Sequence, residues 1–204
     1  KGWCYIGKYG YQVIDNWAKD SVGWCYLGKD GYMVYNTWKK DSKGWCYIGK
    51  YGYQIIDNWA QDSVGWCYLG SDGAMVTNCW VADSVGWCYV GSNGYAVTNC
   101  WKKDSYGWIW LDSEGSMTKD QWILDGGKWY YLYSNGYMAT GWLKYNNAWY
   151  YLNDSGIMQT GWLQSGGKWY YLDSEGAMQT GWKQLNNIWY YFGTDGIMAT
   201  GWKQ

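Results

Sequence analysis

The sequence has no histidine, no proline and no arginine; all 16 basic residues are lysine, and phenylalanine occurs once, at Phe192. Each absence removes a class of chemistry. Without imidazole there is no Ser–His or Cys–His nucleophile pair and no ordinary zinc ligand set. Without guanidinium there is no bidentate clamp for phosphate or carboxylate. A formal net charge of −1 lacks the positive footprint of a nucleic-acid binder. No window approaches the roughly eighteen apolar residues of a membrane span. The N-terminus carries no charged-then-apolar leader, so any secretion signal is expected to have been removed or to lie outside this sequence. Neither cofactor nor metal is expected, and no nucleic acid or membrane span.

What is abundant is aromatic and amphipathic: 21 Trp and 24 Tyr among 204 residues. Both residues join a large apolar face to a polar atom, which suits half-wet surfaces and binding sites as well as cores. They recur with a fixed period. One tryptophan series runs from Trp3 to Trp129 in steps of 21 and on to Trp189 in steps of 20. A second keeps step from Trp17 to Trp122 and on to Trp202, and a glycine series from Gly10 to Gly196 follows them. Only Trp110 falls outside the two series. Such periodicity is the mark of a repeat array.

Each unit reads as a β-hairpin. "WYYL" (149–152) is a short strand, "NDSG" supplies turn residues, and "IMQTGW" is the expected return strand, with the turn glycine at positive φ. A lone hairpin is marginal in water, so the units must stack. The expected fold is all-β, a solenoid of about ten stacked β-hairpins without a central globular core. The 21-residue units of 1–122 and the 20-residue units of 123–204 form two sets. Within the first a 42-residue super-repeat shows, since residues 1–22 and 43–64 differ only at Val13/Ile55 and Lys19/Gln61.

Strand alternation places positions one and three of "WYY" or "WCY" on one face and the middle residue on the other. Position three is aromatic in every unit, and the last Trp of one unit always lies seven residues before the first Trp of the next. Two Trp and a position-three Tyr from the following hairpin are therefore expected to form a three-walled box. Stacking alone would be served by Leu or Val; planar aromatics at three positions per unit point instead to a cage for quaternary ammonium, recognised by cation–π attraction of roughly 0.5–2 kcal/mol per wall. A single cage would reach only about millimolar affinity. Repetition along a polymer raises avidity by about 10²–10⁴.

The segment "TGWLKYNNAWYYLNDSGIMQTGWLQSGGKWYYLDSEGAMQTGW" (140–182) resembles the choline-binding repeats of pneumococcal surface proteins, autolysins and phage lysins. The likeness is close from Trp122 to Gln204 and looser over Lys1–Trp122, where "TGW" becomes "DNW" or "TNCW". The resemblance implies a non-catalytic module on the bacterial cell surface, secreted and held noncovalently by choline or phosphocholine of teichoic and lipoteichoic acids. It also implies sites of two Trp from one repeat, a Tyr from the next and a lining Met. Carried over, these are Trp122/Trp129/Tyr151, Trp142/Trp149/Tyr171 and Trp162/Trp169/Tyr191, with Met158 and Met178 as lining residues. Trp101/Trp108/Tyr131 joins the two sets. Further N-terminal triads are Trp17/Trp24/Tyr47, Trp38/Trp45/Tyr68, Trp59/Trp66/Tyr89 and Trp80/Trp87/Trp110, although Gln12, Gln54 and Ala96 replace the Met there. Two rival readings are carbohydrate binding of the glucan type, and an N-terminal half serving other surface proteins while the C-terminal half anchors.

Seven Cys complete the inventory. Cys4, Cys25, Cys46, Cys67 and Cys88 occupy the middle strand position at intervals of 21; Cys67–Cys79 and Cys88–Cys100 are the attractive pairings, and buried free thiols are the default. The turn acids Asp112, Glu114, Asp173 and Glu175 read as solvated turn residues.

Overall fold

The structure, a computed structural model, describes residues 2–201, so Trp202 lies outside the described residues. Lys1–Cys100 with Leu111–Met117 form one compact unit, and Trp101–Trp110 with Thr118–Gln204 form a second. Among the described residues, eighteen strands pair as nine two-stranded antiparallel sheets, each a hairpin of consecutive strands. In the second unit the strand Gly141–Tyr145 pairs with Ala148–Leu152, setting Trp142 opposite Tyr151 and Lys144 opposite Trp149. In the first, Asn58–Gln61 pairs with Trp66–Leu69, setting Trp59 opposite Tyr68.

This pairing corrects the hairpin frame expected from sequence. The regular ladder spans the loop between the two tryptophans, whereas the "NDSG" side closes through a single bridge, Leu152 to Met158. The physical reason lies in the loops. Asn146 and Asn147 (φ 45° and 65°) and Gly166 and Gly167 (57° and 72°) supply two consecutive left-handed residues, the two-residue turn whose twist matches flanking strands. The first unit achieves the same reversal with "DSVG" loops, in which Asp20 Oδ1 accepts from the amides of Val22 (2.8 Å) and Gly23 (3.0 Å). Beyond the "NDSG" turn the chain turns away to its neighbour: Met178 N donates to Trp149 O at 2.7 Å, and Met75 N to Trp45 O at 2.7 Å. Those bonds stack one hairpin on the next.

The two periods also have a local cause. Just before each tryptophan strand the chain needs a left-handed residue. The second unit uses Gly141, Gly161 and Gly181 of "TGW"; the first uses Asp15, Asn36, Asp57, Asn78 and Asn99, the side chains that best tolerate this region besides glycine. The interior of each unit is made of fourth-position apolar side chains. Leu27, Ile48, Leu69, Val90 and Leu111 in the first unit, and Leu132, Leu152, Leu172 and Phe192 in the second, are all fully buried. The middle-position residues Cys25, Cys46, Cys67 and Cys88 share that inward face and are buried beside them. No disulfide joins the seven cysteines, so the attractive pairings are not formed, and Cys67 Sγ donates to Ala60 O at 3.3 Å.

Candidate functional site

Each hairpin has two faces, and stacking sets the front of one against the back of the next. Trp142, Lys144, Trp149 and Tyr151 lie on one face by register and alternation. The ring that reaches them from the next hairpin must come from that hairpin's opposite face. Middle-position residues are on that face; position-three residues are not. Accordingly Trp142 meets Tyr170, with ring centroids 4.7 Å apart at 62°. Trp162 meets Tyr190 at 4.9 Å, Trp122 meets Tyr150 at 5.2 Å, and Trp101 meets Tyr130 at 4.9 Å. Across these junctions the ring that meets the tryptophan is thus the middle-position tyrosine, where a position-three tyrosine is expected from sequence.

Position-three rings sit within their own hairpin. Tyr151 packs edge-on against Trp142 (5.2 Å), Tyr171 against Trp162 (5.3 Å), Tyr131 against Trp122 (5.2 Å) and Tyr191 against Trp182 (5.2 Å). In the first unit Tyr26 does so against Trp17 (5.3 Å), Tyr47 against Trp38 (5.0 Å), Tyr68 against Trp59 (5.3 Å) and Tyr89 against Trp80 (5.1 Å). Trp110 likewise packs on Trp101 at 5.3 Å. These are braces that hold one tryptophan at a fixed tilt. The other tryptophan of each pair stays open to solvent: Trp24, Trp45, Trp66, Trp87, Trp108, Trp129, Trp149 and Trp169 are exposed.

One junction of the second unit shows the assembled set. Trp101, Trp108, Tyr130 and Met138 line a cleft of about 320 Å³, with Asp154 and Ser155 at its lip. Met138, anticipated by the Met158 and Met178 positions, packs so tightly beneath the next turn that a Cβ on Gly156 would collide with its Sδ, and Gly156 itself is held at φ 75°. The Met position therefore locks wall to turn. Trp101 Nε1 donates to Asp125 at 3.0 Å, which fixes the indole from behind.

In the first unit the middle position is Cys, too small to be a wall. At Trp38 and Trp45 the third wall comes from elsewhere: Tyr95, with Met75, closes a cleft of about 250 Å³. Tyr95 OH and Trp38 Nε1 each donate to Asp62 Oδ2 at 2.8 Å. Burial pushes the Asp62 carboxyl up, but hydrogen bonds from Tyr95, Val64 N, Trp38 and Gly65 N outweigh this and hold it below its ordinary value. Burial first, then Asp62 itself, pushes the Tyr95 hydroxyl up to about 12. Cys67 beneath is pushed up to about 11, mainly by burial.

Sequence reasoning missed both Tyr130-type walls and Tyr95. A signal for Tyr95 exists. Among junctions whose strand tryptophan lies in this chain, Met33, Met75 and Met117 are each followed twenty residues later by Tyr53, Tyr95 and Tyr137. Gln54 and Ala96 are followed at the same distance by Ala74 and Ser116. Met and the distant Tyr come and go together, every 42 residues.

Carboxylates offer no acid–base pair. Asp112 and Asp173 spend an oxygen capping their own turns, accepting from Glu114 N and Ser116 N, and from Glu175 N and Ala177 N. Among the described residues no three metal-ligating side chains converge, and no helix is long and apolar enough to cross a membrane.

Comparison with known proteins follows the same lines. A family profile described as a choline-binding repeat matches residues 121–159 and 140–180, and one described as a putative cell wall binding repeat matches 180–198. No curated protein sequence matches. The choline-binding domain of CbpL from Streptococcus pneumoniae is 32% identical over 92% of this chain and 98% of that one, with a TM-score of 0.66. CbpJ from the same organism is 32% identical over 87% of this chain and 70% of that one (TM-score 0.69). Choline binding protein F, also pneumococcal, is 29% identical over 96% and 83% (TM-score 0.67). The modular pneumococcal autolysin LytC shares the fold at 24% identity and TM-score 0.62; the chain spans 51% of its length.

Proposed function

The chain belongs to the choline-binding repeat family, and we propose that it is a non-catalytic module that attaches to the bacterial cell surface through choline or phosphocholine of teichoic and lipoteichoic acids. The observation that carries this reading is the Trp101/Trp108/Tyr130/Met138 cleft. Three aromatic rings and a thioether line this small space, with the exposed Asp154 and Ser155 as its polar lining residues. A trimethylammonium group cannot donate a hydrogen bond and needs none; it is held by ring faces and by contact with polarisable sulfur.

The same four positions recur along the second unit as Trp122/Trp129/Tyr150/Met158, Trp142/Trp149/Tyr170/Met178 and Trp162/Trp169/Tyr190/Met198. Successive weak sites on one rigid array suit a ligand that is itself a polymer bearing choline at intervals. The second unit is thus the avid part, and the first unit a set of altered sites. No histidine and no convergent acid pair supports a catalytic role for these residues.

The test is equilibrium titration of the intact chain with choline, read by tryptophan fluorescence and by melting temperature, against tetramethylammonium, ammonium and sodium chloride. Saturable binding and stabilisation by the methylated cations alone is the expected result, because ligand binds the folded junction only. Equal stabilisation by sodium chloride would refute the cage.

A further inference from the structure

The junction next to the Tyr95 box is built differently. Cys88 stands where the second unit has a tyrosine, Ser116 where the neighbouring junction has Tyr95, and Ala96 where it has Met75. With both walls and the thioether gone, Trp59 and Trp66 border a cleft of about 690 Å³, against about 250 Å³ at Trp38 and Trp45. Tyr95 also lines the larger cleft, but three rings without a thioether cannot close around a trimethylammonium group in a space more than twice as large.

What replaces the walls is polar and held in place. Asp83 lines the cleft; its Oδ2 accepts from Trp59 Nε1 at 2.8 Å, and its Oδ1 from the amides of Val85 (2.8 Å) and Gly86 (3.0 Å). Ser113, Glu114 and Ser116 also line the cleft, on a turn whose amides at 114 and 116 are tied to Asp112 Oδ1, each at 2.9 Å. The lining has two carboxylates and no lysine. An anion is disfavoured there, and a ligand rich in hydrogen-bond donors is favoured.

We propose that this cleft binds a hexopyranose unit of a glycan, with the free amino sugar preferred over its N-acetylated form. A pyranose has an apolar C–H face that stacks on an indole, and an equatorial rim of hydroxyls for Asp83, Glu114 and the serines. Protonation of a 2-amino group adds a charge-assisted bond to an otherwise unneutralised carboxylate pair. The volume lies within the range of ligand clefts, about 300–1,000 Å³. Tyr95 borders both this cleft and the Trp38/Trp45 cleft, but the polar groups invoked here, Asp83, Glu114 and the serines, belong to this cleft alone.

The experiment uses the full chain saturated with choline, titrated with the β-1,4-linked glucosamine tetramer and with its N-acetylated counterpart. Binding of the amino tetramer, about fivefold or more tighter than the N-acetyl form, is expected. Glu114→Gln, at an exposed position, should weaken the amino tetramer about tenfold and narrow the difference between the two. Ala96→Met with Ser116→Tyr should abolish saccharide binding and add one choline to the stoichiometry, as the wall and thioether are restored. Far-UV circular dichroism and retained choline binding by the second unit report that each variant is folded. Absence of tetramer binding, or binding unmoved by both Glu114→Gln and the double variant, overturns the proposal. So does an oligolysine peptide that binds more tightly than the tetramer and displaces it, which would make the cleft a peptide site.

Discussion

Trp38 and Tyr95, from segments more than two repeats apart in sequence, donate to the same oxygen, Oδ2 of Asp62, each at 2.8 Å. One carboxylate thereby fixes the tilt of two facing rings. It does so from the rim, so the ring faces stay free while the negative charge sits close enough to favour any cation between them. The second unit gains a comparable wall from the middle tyrosine of the next hairpin. The first unit, with Cys67 there, recruits a ring from one repeat further on and needs an anchor to hold it.

The first prediction follows from the protonation states of that anchor. Asp62 lies below its ordinary value of 3.8 in the folded chain, so its contribution to stability is full above 3.8 and is lost as pH falls through the lower folded value. Tyr95 is raised from 10 to about 12, so its contribution is full below 10 and is lost as pH rises towards 12. The Trp38 indole N–H resonance should therefore stay constant between pH 4 and 10. It should shift below pH 4 with a midpoint under 3.8, and the acid step should vanish in Asp62→Asn. A midpoint above 3.8 would show that the hydrogen bonds do not outweigh burial.

A second prediction concerns which tyrosine is a wall. Tyr170→Leu removes the ring that meets Trp142, whereas Tyr170→Phe keeps it. Loss of about 1–2 kcal/mol of cation–π attraction is about a five- to thirtyfold loss of affinity. In crystals soaked with choline, the Trp142/Trp149 site should empty in the Leu variant and remain filled in the Phe variant. Loss of choline there in Tyr171→Leu with no loss in Tyr170→Leu would return the wall to position three.

Lysines supply a third. Lys40 Nζ lies 5.9 Å from the centroid of Trp45, Lys103 5.7 Å from Trp108, and Lys144 6.0 Å from Trp149. Each places a like charge on the exposed tryptophan that a choline must share. Lys103→Gln should strengthen choline binding at its own site severalfold at low salt, with the gain shrinking as screening increases. A weaker site in the variant would mean that the lysine stem serves as a wall.

Thiol reactivity is the fourth. Burial raises the Cys46 and Cys67 thiols to about 11, leaving little thiolate at pH 8. Cys4 is exposed. In the native chain Cys4 should alkylate first, and Cys46 and Cys67 only on unfolding. Mass spectrometry of peptides after timed iodoacetamide treatment reads this directly, and early labelling of Cys67 would show that the column opens.

Much of the architecture was legible because the sequence repeats it ten times. Period, turn glycines and aromatic positions gave the stacked hairpins. The hairpin frame was not legible. Both the "NDSG" turn and the "YNNA" loop carry turn residues, and only the twist of two consecutive left-handed asparagines selects the second as the ladder's turn. The incoming wall was misplaced for a related reason. Alternation sorts residues within one hairpin, but which face of the next hairpin looks back at it is a property of stacking. Tyr95 was hidden by distance, since it completes a site whose tryptophans lie two repeats earlier.

The last prediction tests that exchange of walls. If Tyr95 replaces a missing middle tyrosine, the two positions compete for one space. Tyr95→Ala alone should empty the Trp38/Trp45 cleft of choline in soaked crystals, since it removes the ring that closes the cleft and one donor to Asp62. Cys67→Tyr in the Tyr95→Ala background should refill it, because position 67 then presents the ring that Tyr130 presents to Trp101. Cys67→Tyr alone should be the least stable of the three, with two phenols forced into a cleft of about 250 Å³ and overpacking costing about 1–3 kcal/mol. For a chain of this size that is a drop in melting temperature of roughly 2–10 °C, measurable by calorimetry. If the double variant stays empty while remaining folded, position 67 cannot supply a wall, and the cysteine column is a separate solution to packing rather than the cause of Tyr95's recruitment.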